Sequence, residues 1–240
     1  MRREHLVSIE GVFDARIGID RKIYRWAPGS KIPWRIDPVG ARHFSGDFED
    51  CMVRLMNDAL EQWQLPGLGL EYPHVSEQGP FTFQVTYRHN DQSQEPTTTL
   101  ATAFFPGKPA ARRILELVIY PAFFQLKESE KITTLIHEIG HTLGMRHDPI
   151  PPSELESYPC IQLEPPQTHS VMHFEPTLYL SERSGFIHKC DVSAAVRLYG
   201  LQDTSLHGWT LVDVEPQQII PKKARGRAES QFAKKRPGDA

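Results

Sequence analysis

At 240 residues, with 39% hydrophobic and 24% charged positions, the chain has ordinary globular composition and length enough for one sizeable core. A formal net charge of -3 excludes a global attraction to nucleic acid, and no window approaches the ~20 consecutive apolar residues of a membrane span. The charge is uneven, because Pro221 to Ala240 carries seven Lys/Arg against two acids, a basic tail on an acidic body.

In chain order, residues 1 to 21 show no sustained apolar period and lack the apolar core of a secretory signal, so they read as a leader segment and leave the compartment open. "KIYRWAPGSKIPWRID" reads as strand, turn and strand, with the turn at Pro28-Gly29. From Phe48 the apolar positions Phe48, Cys51, Met52, Leu55, Met56, Ala59, Leu60 and Trp63 recur at helical spacing, which predicts a long amphipathic helix with Cys51 as a buried thiol. "LPGLG" ends that helix. "FTFQVTY" alternates like a half-buried strand and "ILELVIY" reads as a more buried one, with "LATAFFPG" between them as a short strand near a sheet edge.

A second helix is expected from Ser129 as N-cap, with Ile132, Leu135, Ile136, Ile139 and Leu143 as its buried stripe. A Pro-rich loop then leads to "HSVMHF", and a last helix runs through "DVSAAVRLYG". After Gly200 the pattern decays, so 22–200 reads as the folded domain and 201–240 as a low-complexity, disordered tail. Three cysteines cannot all pair within one chain; a Cys160–Cys190 bridge stays open, and no spacing matches a zinc knuckle.

The second helix carries "HEIGHTLGMRHD", three histidines and one glutamate in twelve residues. His137 and His141 are four apart, hence one turn above each other on one helix face. Gly144 accepts a left-handed backbone at little cost, so the helix can stop there and the chain can bring His147 back as a third ligand. Three neutral nitrogens suit zinc at ~2.0–2.1 Å and leave a fourth position to water, as catalytic rather than structural sites do. Glu138, beside the first ligand, is placed to act as general base toward that water. A helix with surface histidines accounts for HExxH alone, but not for the glycine at the bend or for the later Met172.

With "HEIGHTLGMRH" followed by "SVMHF", the chain resembles the metzincin clan of zinc endopeptidases, from about Lys22 to Gly200. "RWAPGSKIPWRID" looks like the clan's first strand, "LATAFFPG" like the matrixin strand lining the substrate cleft, and "DVSAAVRLYG" like the matrixin closing helix. The resemblance implies one catalytic zinc on His137, His141 and His147, Glu138 as base, and Met172 as an apolar floor in a Met-turn. It further implies that Asp148, the residue adamalysins have after the third histidine, braces that turn, and that Leu100, Ala101, Thr102 and Ala103 hold an extended substrate. Phe174 stands where astacins and serralysins have a tyrosine, there is no cysteine switch, and the loop from His89 to Glu95 lacks the matrixins' structural zinc and calcium pattern.

The expected fold is therefore α+β and zincin-like: a twisted, mostly parallel sheet of about five strands with one antiparallel edge, and three helices. The expected function is zinc-dependent peptide-bond hydrolysis, the alternative being a peptide-binding module on the same scaffold. The partners expected are a peptide or protein substrate, with no membrane, nucleic acid only through the basic tail, and the chain as a monomer. His169, His173 and His188 read as surface or hydrogen-bonded histidines.

Overall fold

The computed structural model describes residues 16–17, 21–41, 48–65, 67–88, 99–107, 114–147, 161–162, 170–173 and 186–221. Along the chain these form β1 (Arg16–Ile17), β2 (Lys22–Trp26), β3 (Trp34–Ile36), α1 (Pro38–Ala41), α2 (Phe48–Gln62), β4 (Phe83–Tyr87), β5 (Ala101–Thr102) and β6 (Leu115–Ile119). After a 3-10 turn at Pro121–Gln125 come α3 (Glu128–Thr142), β7 (Met145–Arg146), β8 (Ile161–Gln162), α4 (Lys189–Gly200), β9 (Ser205–Leu206) and β10 (Trp209–Val214). The fold is mixed α+β, with four α-helices among the described residues rather than the three expected, the short α1 being the addition.

The central sheet runs β3-β4-β6-β5, parallel across β3, β4 and β6 and antiparallel at the β5 edge. Beyond β3, Ile32 and Trp34 donate their N–H groups to Glu71 O at 2.8 Å and Pro73 O at 3.0 Å, which adds a fifth, bridged segment in parallel. β4 departs from the half-buried reading, since all five of its residues are buried. It lies between two parallel neighbours, and its polar positions are answered: Gln84 accepts from Arg35 at 3.2 Å, and the Thr86 hydroxyl donates to Asp37 at 2.7 Å. A buried polar side chain is tolerated when paired in this way.

α2 buries Phe48, Met52, Leu55, Met56, Ala59 and Leu60 toward α3 and the sheet. Just past its end, Trp63 Nε1 donates to Ile136 O at 3.0 Å, tying the two long helices together. Cys51 corrects the expectation of a buried thiol: it is exposed, because it falls just outside the apolar stripe. The start of α3 also differs. Lys127 is its N-cap, Ser129 lies within the first turn, and the Glu130 carboxylate accepts the Lys127 N–H at 2.8 Å, the return half of a capping box.

The chain does not become structureless at Gly200. β9 and β10 form a hairpin through His207 and Gly208, both at positive φ (50° and 81°), the conformation that two-residue hairpin loops favour. β10 then pairs in parallel with β2 over five registered positions, from Thr210–Lys22 to Val214–Trp26. Leu206, Trp209, Leu211 and Val214 pack against the core. Order likewise extends into the expected leader, where β1 pairs with β7 and β8.

Arg25 locks these parts together. Its side chain is only 5% exposed; Nε donates to Asp213 Oδ1 at 2.7 Å, and Nη1 donates to the carbonyls of Leu198 and Tyr199 at 2.7 and 3.0 Å. Those carbonyls end α4, where no further helical donor exists and a cation is favoured. Arg25→Ala leaves them and Asp213 unanswered. It should cost about 3 kcal/mol and lower the melting temperature by roughly 6–12 °C, read by thermal unfolding followed by circular dichroism.

Candidate metal centre

α3 buries one face against the core through Leu135, Ile136 and Ile139, and this fixes the helix's rotation so that His137 and His141 rise together from the neighbouring strip. The helix ends at Leu143, and Gly144 follows with φ 101°. A side chain is excluded there twice over, by the backbone conformation and because a Cβ would collide with the Tyr24 carbonyl of β2. The turn sends the chain back through β7 and delivers His147 to the other two histidines. Ring centroids lie 4.7 Å apart for His137–His141, 5.1 Å for His137–His147 and 4.7 Å for His141–His147.

Two of the three imidazoles, His137 and His141, have a defined tautomer. His137 Nδ1 lies 2.7 Å from Val171 O and His141 Nδ1 lies 2.9 Å from Met145 O; a carbonyl only accepts, so both Nδ1 atoms carry the proton and both Nε2 atoms present a lone pair. His141 Nε2 and His147 Nε2 are 3.2 Å apart, and one ligand nitrogen from each of the three histidines falls within 4.8 Å of the others. Two nitrogens at zinc-bond length in tetrahedral array would be about 3.3 Å apart. The donor set therefore fits a borderline cation, and these three histidines could bind a metal ion.

Glu138 is 6% exposed, and its Oε2 has no hydrogen-bond partner among the described residues. Desolvation pushes its carboxyl up to about 8, with the Ala103 backbone N–H pulling the other way. A buried carboxylate oxygen without a partner is costly unless a cation or a reacting group faces it. Phe105, just beyond β5, sets its ring 5.1 Å from that of His141 and forms an apolar wall on that side.

The turn at Ser170–His173 closes the site from below. Met172 is buried with its sulfur against α3 at Gly140, where a Cβ would occupy the sulfur's place. The turn is held by Asp191 in the first turn of α4: Ser170 Oγ donates to Oδ1 at 2.6 Å, while Val171 N and His188 N donate to Oδ2, each at 3.1 Å. Burial pushes the Asp191 carboxyl above its ordinary range, against these three donors. Through Val171 O the same turn orients His137, so Asp191 reaches the ligand set in two steps.

Three sequence-predicted residues converge here, His137, His141 and His147, while Met172 packs against Gly140 of the same helix and Glu138, next in sequence to His137, is buried. Ala103 approaches through its amide, while Ala101 and Thr102 form the sheet edge, and Leu100 accepts the Tyr120 N–H at 3.0 Å on the sheet side. Asp148, Cys160, His169 and Phe174 lie outside the described residues, as do the loop from His89 to Glu95 and the basic tail from residue 222. His188 caps α4, with its Nδ1 3.1 Å from Cys190 Sγ, and His173 is buried. The sequence reading passed over Asp191. Its one signal is an acid three residues after a cap position and just before an apolar helical run, a capping-box pattern that says nothing of the turn it also holds.

Neither a protein-family model nor a curated protein sequence matches this chain. The fold is similar to the solved structure of myroilysin, with a TM-score of 0.51 and 14% identity over 78% of this chain and 99% of that one. No helix among the described residues is long and apolar enough to cross a membrane.

Removing the Asp191 carboxylate strands three donors and frees the turn that orients His137. Asp191→Ala should weaken zinc binding by about tenfold, measured by competition with a chromophoric chelator, while Asp191→Asn, which keeps one acceptor, should fall between.

Proposed function

We propose that the chain is a zinc-dependent endopeptidase. The observation that carries this reading is the convergence of His137, His141 and His147, with Glu138, the residue after the first of them, buried on the same helix. The resemblance of HEIGHTLGMRH and the later Met172 to the metzincin signature supports it, as does a fold shared with myroilysin across nearly all of that chain.

His137, His141 and His147 would hold the zinc, an all-imidazole set that leaves room for a fourth ligand. When bound, the ion would supply a Lewis acid for the scissile carbonyl and would lower the pKa of a water toward 7. Glu138 would take that proton and return it to the departing amine. The Ala103 amide holds the carboxyl in place. β5 ends its sheet on this side, so Leu100 to Ala103 would receive an extended peptide as an added antiparallel strand, with Phe105 walling the cleft above His141. Met172 serves as the floor beneath the ligands. A scaffold that only held peptides would have no use for a buried carboxyl with one oxygen unpaired among the described residues, which costs stability wherever it serves no chemistry.

Glu138→Gln keeps the shape and removes the proton acceptor. Zinc stoichiometry should stay at one per chain while turnover of an unstructured protein substrate falls by about a hundredfold or more. Retained cleavage in that variant would overturn the assignment of the base.

A further inference from the structure

The segment that carries the third histidine is short. From Gly144 to His147 only the two residues of β7 have regular structure, and a strand of two residues cannot hold a position without neighbours. Yet β7 has two duties at the ligands. Its Met145 carbonyl fixes the tautomer of His141, and its last residue, Arg146, directly precedes His147.

The neighbour is the N-terminal strand. β1 lies between β7 and β8 as the middle strand of a three-stranded antiparallel sheet, with Arg16 opposite Arg146 and Gln162, and Ile17 opposite Met145 and Ile161. Five residues on, β2 begins, and its Tyr24 carbonyl is packed against Gly144. The stretch from Arg16 to Tyr24 thus touches the ligand turn at both ends, beside Met145–Arg146 through a ladder and at Gly144 through close backbone contact. β2 is itself held by β10 and by Arg25, so one end of this stretch is anchored in the core.

We infer that β1 is a positioning element for the metal centre: its backbone pairing with β7 sets the Met145 carbonyl and the path to His147, and so governs metal affinity. The inference rests on the metal-centre reading above and adds to it a dependence on residues far from the motif in sequence. The contribution of β1 runs through β7, and it comes from the backbone, since an antiparallel ladder is built from N–H and C=O groups.

Coupling between a ligand site and a strand is reciprocal, so the bound metal must tighten the same pairing that the pairing uses to hold the ligands. In the full chain, zinc should slow amide hydrogen exchange at Arg16, Ile17 and Met145 by about tenfold more than it slows exchange at Leu206 and Trp209 of the C-terminal hairpin. Successive residues of β1 face opposite neighbours, so Arg16→Pro and Ile17→Pro delete one amide donor each, one toward β7 and one toward β8. The variant that loses the β7 bond should bind zinc about tenfold more weakly, by chelator competition, while Arg16→Ala and Ile17→Ala, which keep the amide, should bind within about twofold of the parent. The exchange measurement needs no variant and decides the matter even where a proline chain does not fold. If the parent binds zinc and the amides of Arg16, Ile17 and Met145 respond no more than those of the hairpin, the positioning role is wrong and the metal centre stands. If the parent binds no zinc, the metal-centre reading itself fails.

Discussion

Two imidazoles on one helix face cannot enclose a cation, and the third must come from chain that has already left the helix. That requirement turns on the backbone at Gly144, whose φ of 101° lets the chain reverse directly after α3 and whose missing side chain leaves space for the Tyr24 carbonyl. Any other residue there would strain the turn and push against β2 at once. The reversal places β7 and His147 where His137 and His141 already point, and every other feature of the site supports or surrounds this turn.

Support comes from both sides. Below, Met172 fills the space that a Cβ on Gly140 would take, and Asp191 holds the turn containing it, so the helix that closes the domain reaches the ligands through Val171 and His137. Behind, β2 carries Tyr24 against Gly144 and, at the next residue, Arg25, whose guanidinium answers the last carbonyls of α4 and the carboxylate of Asp213. A single strand therefore joins the ligand turn, the end of the closing helix and the C-terminal hairpin. The ligand turn is stiff because buried groups on three elements would lose partners if it moved.

Much of this was legible in the sequence. The spacing of His137 and His141 and the glycine three residues on are local patterns with local physical causes: the two histidines converge with His147, and Gly144 takes the positive φ. The central sheet was legible in outline, because β-branched and aromatic runs mark strands whatever their neighbours. What escaped were pairings between segments distant in the chain. β10 is six residues long, with polar Thr210 and Asp213 interrupting its apolar positions, and nothing in "WTLVDV" tells that it will lie along Lys22–Trp26. β1 is two residues long and carries no period at all. Asp191 looked like an ordinary first-turn acid, and its bond to Ser170 spans 21 positions, a relation that folding creates and no local pattern announces. Cys51 shows the converse error, an apolar residue counted into a stripe whose edge it just misses.

The proposed function requires that three histidines from a helix and its reversal hold one zinc on which peptide hydrolysis depends. The most direct test is the metal content of the purified chain, taken together with cleavage of an unstructured protein before and after a zinc chelator and again after zinc is restored. The expected result is one zinc per chain, cleavage that stops with chelation and returns with zinc, and no zinc in a His147→Ala chain that keeps its helix content. Cleavage that survives full removal of the metal, or a folded parent chain that takes up no zinc, would contradict it.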